Sequence, residues 1–387
     1  MAAEYKRPVY LNFYHLDLPL MQHLDKPLTV LFLSKRRPMQ RDLLTQPYGR
    51  FYHLPRLLAE RGHRAHVLLL SYRNDSAAVS NKDGVTWESI SVFRGGLSGY
   101  LARAKQIMRF SKPDWVVGFS DTYYGILAQR LAARYGARSA IDAYDNLESY
   151  LPWCKPLHWL WRKSLARATL ATAAGPNLAK RLAESRPSLP TVLVPMAADP
   201  PFFQAVDRQT CRKILGLPDD NILIGYCGSI HKDRGIEVLF AAYKKLRQKR
   251  NDVRLVISGR LGRGITLPSD IHWLGYMPNE AMVTLLGSLD VLTVMIQPSE
   301  FGNYSYPVKL YEAMCGKIPV VVTETASTRW MLTKHPDFLV PPNDPQALCD
   351  AIERAASLGR VDYGPQPDWQ ANVDILEKAF LANGQSY

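Results

Sequence analysis

The sequence predicts an α/β protein built as two doubly wound, Rossmann-like domains that face one another across a central cleft. Two observations predict it. Short runs of β-branched and aliphatic residues alternate with stretches of helical periodicity along nearly the whole chain, the pattern of strand–helix–strand crossovers over a parallel sheet. That rhythm breaks over residues 199–220, where Pro200, Pro201 and Pro218 gather, and then restarts. A chain of 387 residues is long enough for two such domains, each burying its own core.

Residues 1–27 mix Lys6, Arg7, Asp17 and Asp25 with short apolar pieces, so they are expected to be an extension rather than a signal peptide. The first domain is expected over 28–198, with strand-like runs at 28–34, 65–71, 114–120, 138–144, 169–174 and 191–195. A helix is expected over 51–62, where Leu54, Leu57, Leu58 and Arg61 keep the helical step and Gly62 supplies the stop. Residues 199–220 read as a linker with one short helix. The second domain, 221–365, carries strand-like runs at 221–229, 253–259, 270–276, 290–296, 318–323 and 338–341. A last helix over 366–387 follows from Trp369, Val373, Leu376, Ala379 and Phe380 at helical spacing. In sheets of this kind ligands bind beyond the carboxyl ends of the strands, so the loops there carry the candidate site residues.

Charge narrows the partners. The formal net charge is +13, and residues 1–200 hold 28 Lys+Arg against 15 Asp+Glu, so the first half carries the whole excess. Such asymmetry suits an anionic membrane surface or a nucleic acid. No zinc-finger spacing, aromatic RNP-type motif or KH-type loop occurs, which favours the membrane and argues against nucleic acid. Residues 151–168 join Trp153, Trp159 and Trp161 to Lys155, Arg162, Lys163 and Arg167; this is either an interfacial helix or a core helix with a solvated basic back. No apolar run approaches the ~20 residues that span a bilayer. Five scattered cysteines without a CxxC pair argue against a disulfide framework or a zinc site, and fit a reducing cytoplasm.

Candidate chemistry concentrates in 298–323. A strand ends near Ile296, a Gly/Asn/Ser loop follows, and a helix opens with Pro307 in its first turn and runs to Gly316. Free backbone N–H groups at such a start form an anion site. Lys309 and Glu312 lie three apart, so they share a helix face. A cation beside an acidic acceptor suits a diphosphate joined to a ribose; an exposed surface ion pair is the plainer alternative. A second segment, 224–246, places Gly228, Ser229, His231, Lys232 and Arg234 between a strand and a helix, where small residues admit a ligand and bases hold phosphate oxygens. After the strand ending at Tyr144, Asp145 is a candidate acceptor of a hydroxyl proton, with a helix N-cap as its alternative role. Glu148, with a plain surface glutamate as its alternative, and Asp121, with a helix N-cap as its alternative, are weaker candidates.

These strings resemble the donor-binding signature of GT-B glycosyltransferases, in particular the family 4 or group 1 type. The matching pieces are Glu300, Phe301-Gly302, Glu312-Ala313-Met314 and Gly316-Lys317-Ile318-Pro319-Val320. The two glutamates stand twelve apart where the family usually has eight, so Tyr304 and Ser305 occupy the intervening positions and the Pro307, Lys309, Glu312 form is similar to a subgroup variant. The resemblance implies that Glu312 binds ribose hydroxyls, that Glu300, Phe301, Gly302, Tyr304 and Ser305 lie along the donor, and that Arg234 clamps the diphosphate. Ser229 replaces the first base of that clamp, so that one of its charges is either missing or supplied by Lys309. Residues 48–63 resemble the family's first helix after a glycine loop, with Gly49 and Arg50 near donor phosphates or acceptor. The last helix is then expected to cross back onto the first domain.

No Asp-x-Asp triplet occurs, which fits a site without metal or other cofactor, where Arg234, Lys309 and a helix terminus stabilise the leaving phosphate. The implied partners are a nucleotide-sugar donor and a lipid-linked or saccharide acceptor in bacterial surface polysaccharide assembly, at the inner face of the cytoplasmic membrane. A sugar-nucleotide epimerase of the same fold and a non-catalytic nucleic-acid binder are the alternatives.

Overall fold

The computed structural model describes residues 27–383; the extension reading of the N-terminus therefore falls, but for residue 27, outside the described residues. The first domain is a sheet of β1 (Thr29–Lys35), β2 (Arg64–Ser71), β3 (Ala78–Lys82), β4 (Val85–Ser91), β5 (Trp115–Gly118), β6 (Arg138–Ala143), β7 (Leu170–Ala173) and β8 (Thr191–Leu193). Their order is β3-β4-β2-β1-β5-β6-β7-β8, all parallel except β3, which runs antiparallel to β4. Around it pack α1 (Gly49–Glu60), α2 (Gly96–Ser111), α3 (Thr122–Tyr135), α4 (Lys155–Leu165) and α5 (Pro176–Ala183). The chain builds leftward from β1 to β2 and β4, then returns to set β5 on the other side of β1. The topological switch point thus lies between β1 and β5.

The second domain repeats the scheme. It holds α6 (Arg208–Leu215), β9 (Ile222–Cys227), α7 (Ile236–Lys249), β10 (Val253–Ser258), β11 (His272–Trp273) and α8 (Asn279–Ser288). It continues with β12 (Val291–Val294), α9 (Val308–Cys315), β13 (Val320–Thr323), α10 (Ala326–Met331), β14 (Leu339–Val340) and α11 (Pro345–Ala356). The strand order β11-β10-β9-β12-β13-β14 sets its switch point between β9 and β12. The region 199–220 is a 3-10 turn at Pro200–Phe203 followed by α6. The final helix α12 (Trp369–Ala382) returns to the first domain and packs on α1. Phe380 stacks on Trp115 with ring centroids 4.5 Å apart, and Glu377 accepts from Arg61 and meets His63.

The hydrophobic runs become strands because both sheet faces are covered: Phe32, Val67, Val117 and Leu69 point to the α1 and α12 side, and Leu31, Leu68 and Val116 to the α2 and α3 side. The β3–β4 hairpin and α2 lie in 72–113, a stretch for which the hydrophobic runs predicted no element. The hairpin turn is Asp83-Gly84, both at positive φ (55° and 74°), a two-residue turn that an Asp-Gly pair signals. Within 151–168, Trp161 and Leu165 of α4 are buried in the core, whereas Trp159 stands out with Lys163 over its ring at 4.5 Å. All five cysteines are free. Among the described residues no helix is long and apolar enough to cross a membrane.

Candidate active site

The two sheets direct their carboxyl ends at a cavity of about 410 Å³ between the domains. On the second domain's wall, β9 ends in Cys227-Gly228-Ser229, at the switch point. Backbone approaches backbone tightly here: a Cβ on Gly259, which has φ +149°, would stand 1.7 Å from the Gly228 carbonyl oxygen. Arg234 follows in a 3-10 turn before α7 and lies over the Phe301 ring at 5.1 Å. Among the described residues no carboxylate pairs with it, so its charge is left for the cavity. α9 begins at Val308 with Pro307 as its N-cap, and both line the cavity. The positive end of its dipole, roughly half a unit charge, therefore faces the space.

Lys309 and Glu312 stand on one face of α9, as their spacing predicts, with Lys309 Nζ 2.5 Å from Glu312 Oε2. The pair is not a surface decoration. Glu312 is buried, and burial pushes its carboxyl above the usual range while the Lys309 charge and hydrogen bond pull it back.

Across the cavity, Asp145 follows β6 on the first domain. Its carboxylate accepts from the Tyr150 hydroxyl at 2.7 Å. Burial pushes its pKa up to about 6, against the lowering by Tyr150, Arg234, Ser305 and Arg50. A carboxylate with that value is ionised at neutral pH yet basic enough to take a proton.

The structure gathers Gly49, Arg50, Asp145, Gly228, Ser229, Arg234, Phe301, Ser305, Lys309 and Glu312 around this one space, and leaves five predicted residues outside it. Glu300 is 71% exposed and turns to Arg181 at 3.2 Å, while its carbonyl accepts from Asn146. Tyr304 lies under Arg181 at 5.1 Å. Gly302 is buried by packing, since a Cβ there would meet the Gln297 carbonyl at 2.0 Å. Glu148 is neither a surface residue nor a cavity residue: it takes a bidentate bond from Arg162 at 2.7 and 2.8 Å. Asp121 makes no side-chain cap of α3 and pairs instead with Lys35 at 2.9 Å. Arg50 borders the cavity, yet its guanidinium is fully buried against Asp142, at 2.9 and 2.5 Å. That charge is spent on joining α1 to β6.

Sequence reasoning missed Arg41, Asp199, Arg260 and Tyr276, which also line the cavity. Arg260 lies over Tyr276 at 4.8 Å, and Arg41 reaches across the domains to Asn279 Oδ1 at 2.9 Å. Asp199 gathers Gly49 N, His53 and Trp369 Nε1 at 3.2, 3.1 and 2.9 Å. The prolines that marked 199–220 as a linker were a signal of a junction, though not of this hub.

Residues 221–357 match the family described as Glycosyl transferases group 1, and residues 50–197 match the Glycosyl transferase 4-like domain. The chain belongs to the group 1 glycosyltransferases. Among the relatives of this chain is the capsular polysaccharide biosynthesis glycosyltransferase CapM of Staphylococcus aureus, 27% identical over 161 residues, or 39% of this chain and 41% of that one. Another is a D-inositol 3-phosphate glycosyltransferase of Corynebacterium urealyticum, 26% identical over 199 residues, covering 45% and 46%. The chain thus spans less than half the length of these two curated relatives. Among solved structures, sucrose-phosphate synthase from Thermosynechococcus elongatus superposes with TM-score 0.68 at 16% identity, over 92% of this chain and 94% of that one. HepE of Anabaena, in complex with UDP, does so with TM-score 0.66 at 16% identity over the same shares. These likenesses establish the GT-B fold: two Rossmann-like domains and a C-terminal helix that crosses back.

Proposed function

We propose that this glycosyltransferase moves a sugar from a UDP- or GDP-sugar to a saccharide or lipid-linked acceptor in the assembly of a bacterial surface polysaccharide. One observation carries the reading: Arg234, Lys309, Glu312 and the start of α9 converge on one wall of the cleft, and Asp145 stands on the wall opposite. Glu312 takes the ribose hydroxyls, and Arg234, Lys309 and the α9 amides take the diphosphate. The bond from the sugar's anomeric carbon to the diphosphate oxygen breaks with its electron pair leaving on that oxygen. The acceptor oxygen bonds to the same carbon, and its hydroxyl proton passes to Asp145. Negative charge grows on the leaving phosphate during this step, so cations fixed there lower the barrier in place of a metal.

The surface-polysaccharide context is supported by the likeness to CapM. The proposed place of work is the inner face of the cytoplasmic membrane, bound peripherally. Phe93, Leu97, Phe110, Trp153 and Trp159 are exposed on the first domain, and the segment 92–113 holds Arg94, Arg103, Lys105, Arg109 and Lys112 with no acidic residue. Apolar side chains amid bases suit an anionic bilayer.

Thermal shift with UDP, GDP, ADP and their sugar conjugates, first without metal and then with magnesium, tests the donor site. A ligand that binds only the native state raises its melting temperature. A shift with one nucleotide and no metal is expected; no shift with any of them refutes the reading.

A further inference from the structure

The loop between β12 and α9 crosses the cleft, and the two neighbours of Phe301 are tied to different domains. The Glu300 carbonyl accepts from Asn146 Nδ2 of the first domain at 2.6 Å, and the Glu300 carboxylate meets Arg181 of that domain at 3.2 Å. Gly302 is held by the second domain. Its amide donates to Ser299 Oγ and its carbonyl accepts from Ser327 Oγ, each at 2.9 Å. There is no room for a Cβ at Gly302, so the chain is closely fixed on that side. Phe301 is therefore held from both sides, at the boundary between the walls of the cavity.

Its ring meets two side chains of the candidate site, one from each domain. The Arg234 guanidinium lies over it at 5.1 Å, within cation–π reach. Among the described residues no hydrogen bond or ion pair holds the Arg234 side chain, so the ring face is what directs it. The Tyr150 ring lies 6.2 Å away, centroid to centroid, and is tilted by 34°, within the range of packed aromatic pairs. Tyr150 in turn donates to Asp145 at 2.7 Å. The polar and charged groups that face Asp145 are Tyr150, Arg234, Ser305, Arg50 and Tyr144. Phe301 touches two of them, Tyr150 and Arg234, and both favour the ionised carboxylate.

We propose that Phe301 is a positioning residue for both halves of the transfer: its ring directs Arg234 at the leaving diphosphate and steadies the Tyr150 hydroxyl on the Asp145 carboxylate. The proposal rests on the transferase reading above, which gives Arg234 and Asp145 those tasks. The Phe301 ring then acts on the protein's own groups rather than on the donor.

The test uses the full chain and two readouts that need no acceptor. In protein with its aspartate carboxyl carbons isotope-labelled for NMR, the Asp145 resonance, identified by its loss in Asp145→Asn, is followed against pH. Calorimetry measures affinity for the nucleoside and for the nucleoside diphosphate of the base that the nucleotide screen identifies. The wild-type midpoint is expected at about pH 6. Tyr150→Phe should raise it by about one pH unit, and Phe301→Leu, which removes the ring but little volume, by about half of that. The double variant should add little to Tyr150→Phe alone, because Phe301 acts on Asp145 chiefly through the Tyr150 hydroxyl. Phe301→Leu should also weaken the diphosphate about three- to fivefold and leave the nucleoside unchanged. Phe301→Met is a second variant without a ring and should behave as Phe301→Leu does, whereas Phe301→Tyr, which keeps the ring, should restore both readouts. A wild-type midpoint in both ring-free variants would overturn the proposal. So would single-variant effects that sum in the double variant, or a diphosphate affinity that falls no more than that of the nucleoside. Failure of the wild-type chain to bind any nucleotide is a different failure, that of the transferase reading itself, and it shows before any variant is made.

Discussion

Replacing Glu312 by Gln is the most informative single change, because it removes a charge and almost no volume. The Glu312 side chain is 5% exposed and its partner Lys309 is 24% exposed. In a fully buried pair, loss of one partner costs about 3–5 kcal/mol. Solvent reaches Lys309, so the expected loss of stability is smaller, about 1–2 kcal/mol, and the melting temperature falls by a few degrees. Binding should suffer more selectively. A hydrogen bond to a charged acceptor contributes about 1.5–3 kcal/mol, so a nucleoside that bonds the carboxylate should lose roughly 10- to 150-fold in affinity. The diphosphate form should lose less, since Lys309 is released from Glu312 and can turn wholly to phosphate. Calorimetric titration of the variant with nucleoside and with nucleoside diphosphate measures both. Nucleoside affinity within twofold of wild type would refute the ribose role of Glu312. An equal loss for both ligands would refute the division of labour between Lys309 and Glu312.

Other predictions follow from the same geometry. With the Asp145 pKa raised to about 6, kcat/KM should fall tenfold per pH unit below about pH 6 and level off above it, the carboxylate being the active form; an acid limb near pH 4 would speak against this base. Tyr150→Phe removes a hydrogen bond that holds that pKa down, so the acid limb of the profile should move to higher pH. Asp142→Asn leaves the buried Arg50 guanidinium without its counter-charge and should cost about 3–5 kcal/mol in denaturant titration. Phe380→Ala opens a void against Trp115 and should destabilise the first domain by about 3–5 kcal/mol, although the substitution lies in the last helix of the chain.

Much of this protein is legible in its sequence. The apolar runs mark the buried strands because both faces of each sheet are covered, and a strand buried on both faces must be apolar throughout. The Lys309–Glu312 spacing predicts a shared helix face, and the structure has one, because three residues make nearly a full helical turn. The Asp83-Gly84 pair was equally readable, yet the polar exposed β3 beside it offers no hydrophobic run to find.

Tertiary structure alone decided which charges remain free. Arg50 looks like a phosphate ligand until Asp142, 92 residues away, is seen to hold it. Glu300 lies in the donor motif, yet Arg181 from the other domain draws it outward. Arg41, Asp199, Arg260 and Tyr276 carry no local signature, and they reach the cleft because two doubly wound sheets present their carboxyl ends to one another. Periodicity records whether a side chain is buried, and burial is a local demand on each element. The partner of a charge is set by whatever distant segment the fold brings within about 4 Å, the range over which an ion pair acts strongly, and no neighbour in sequence records that.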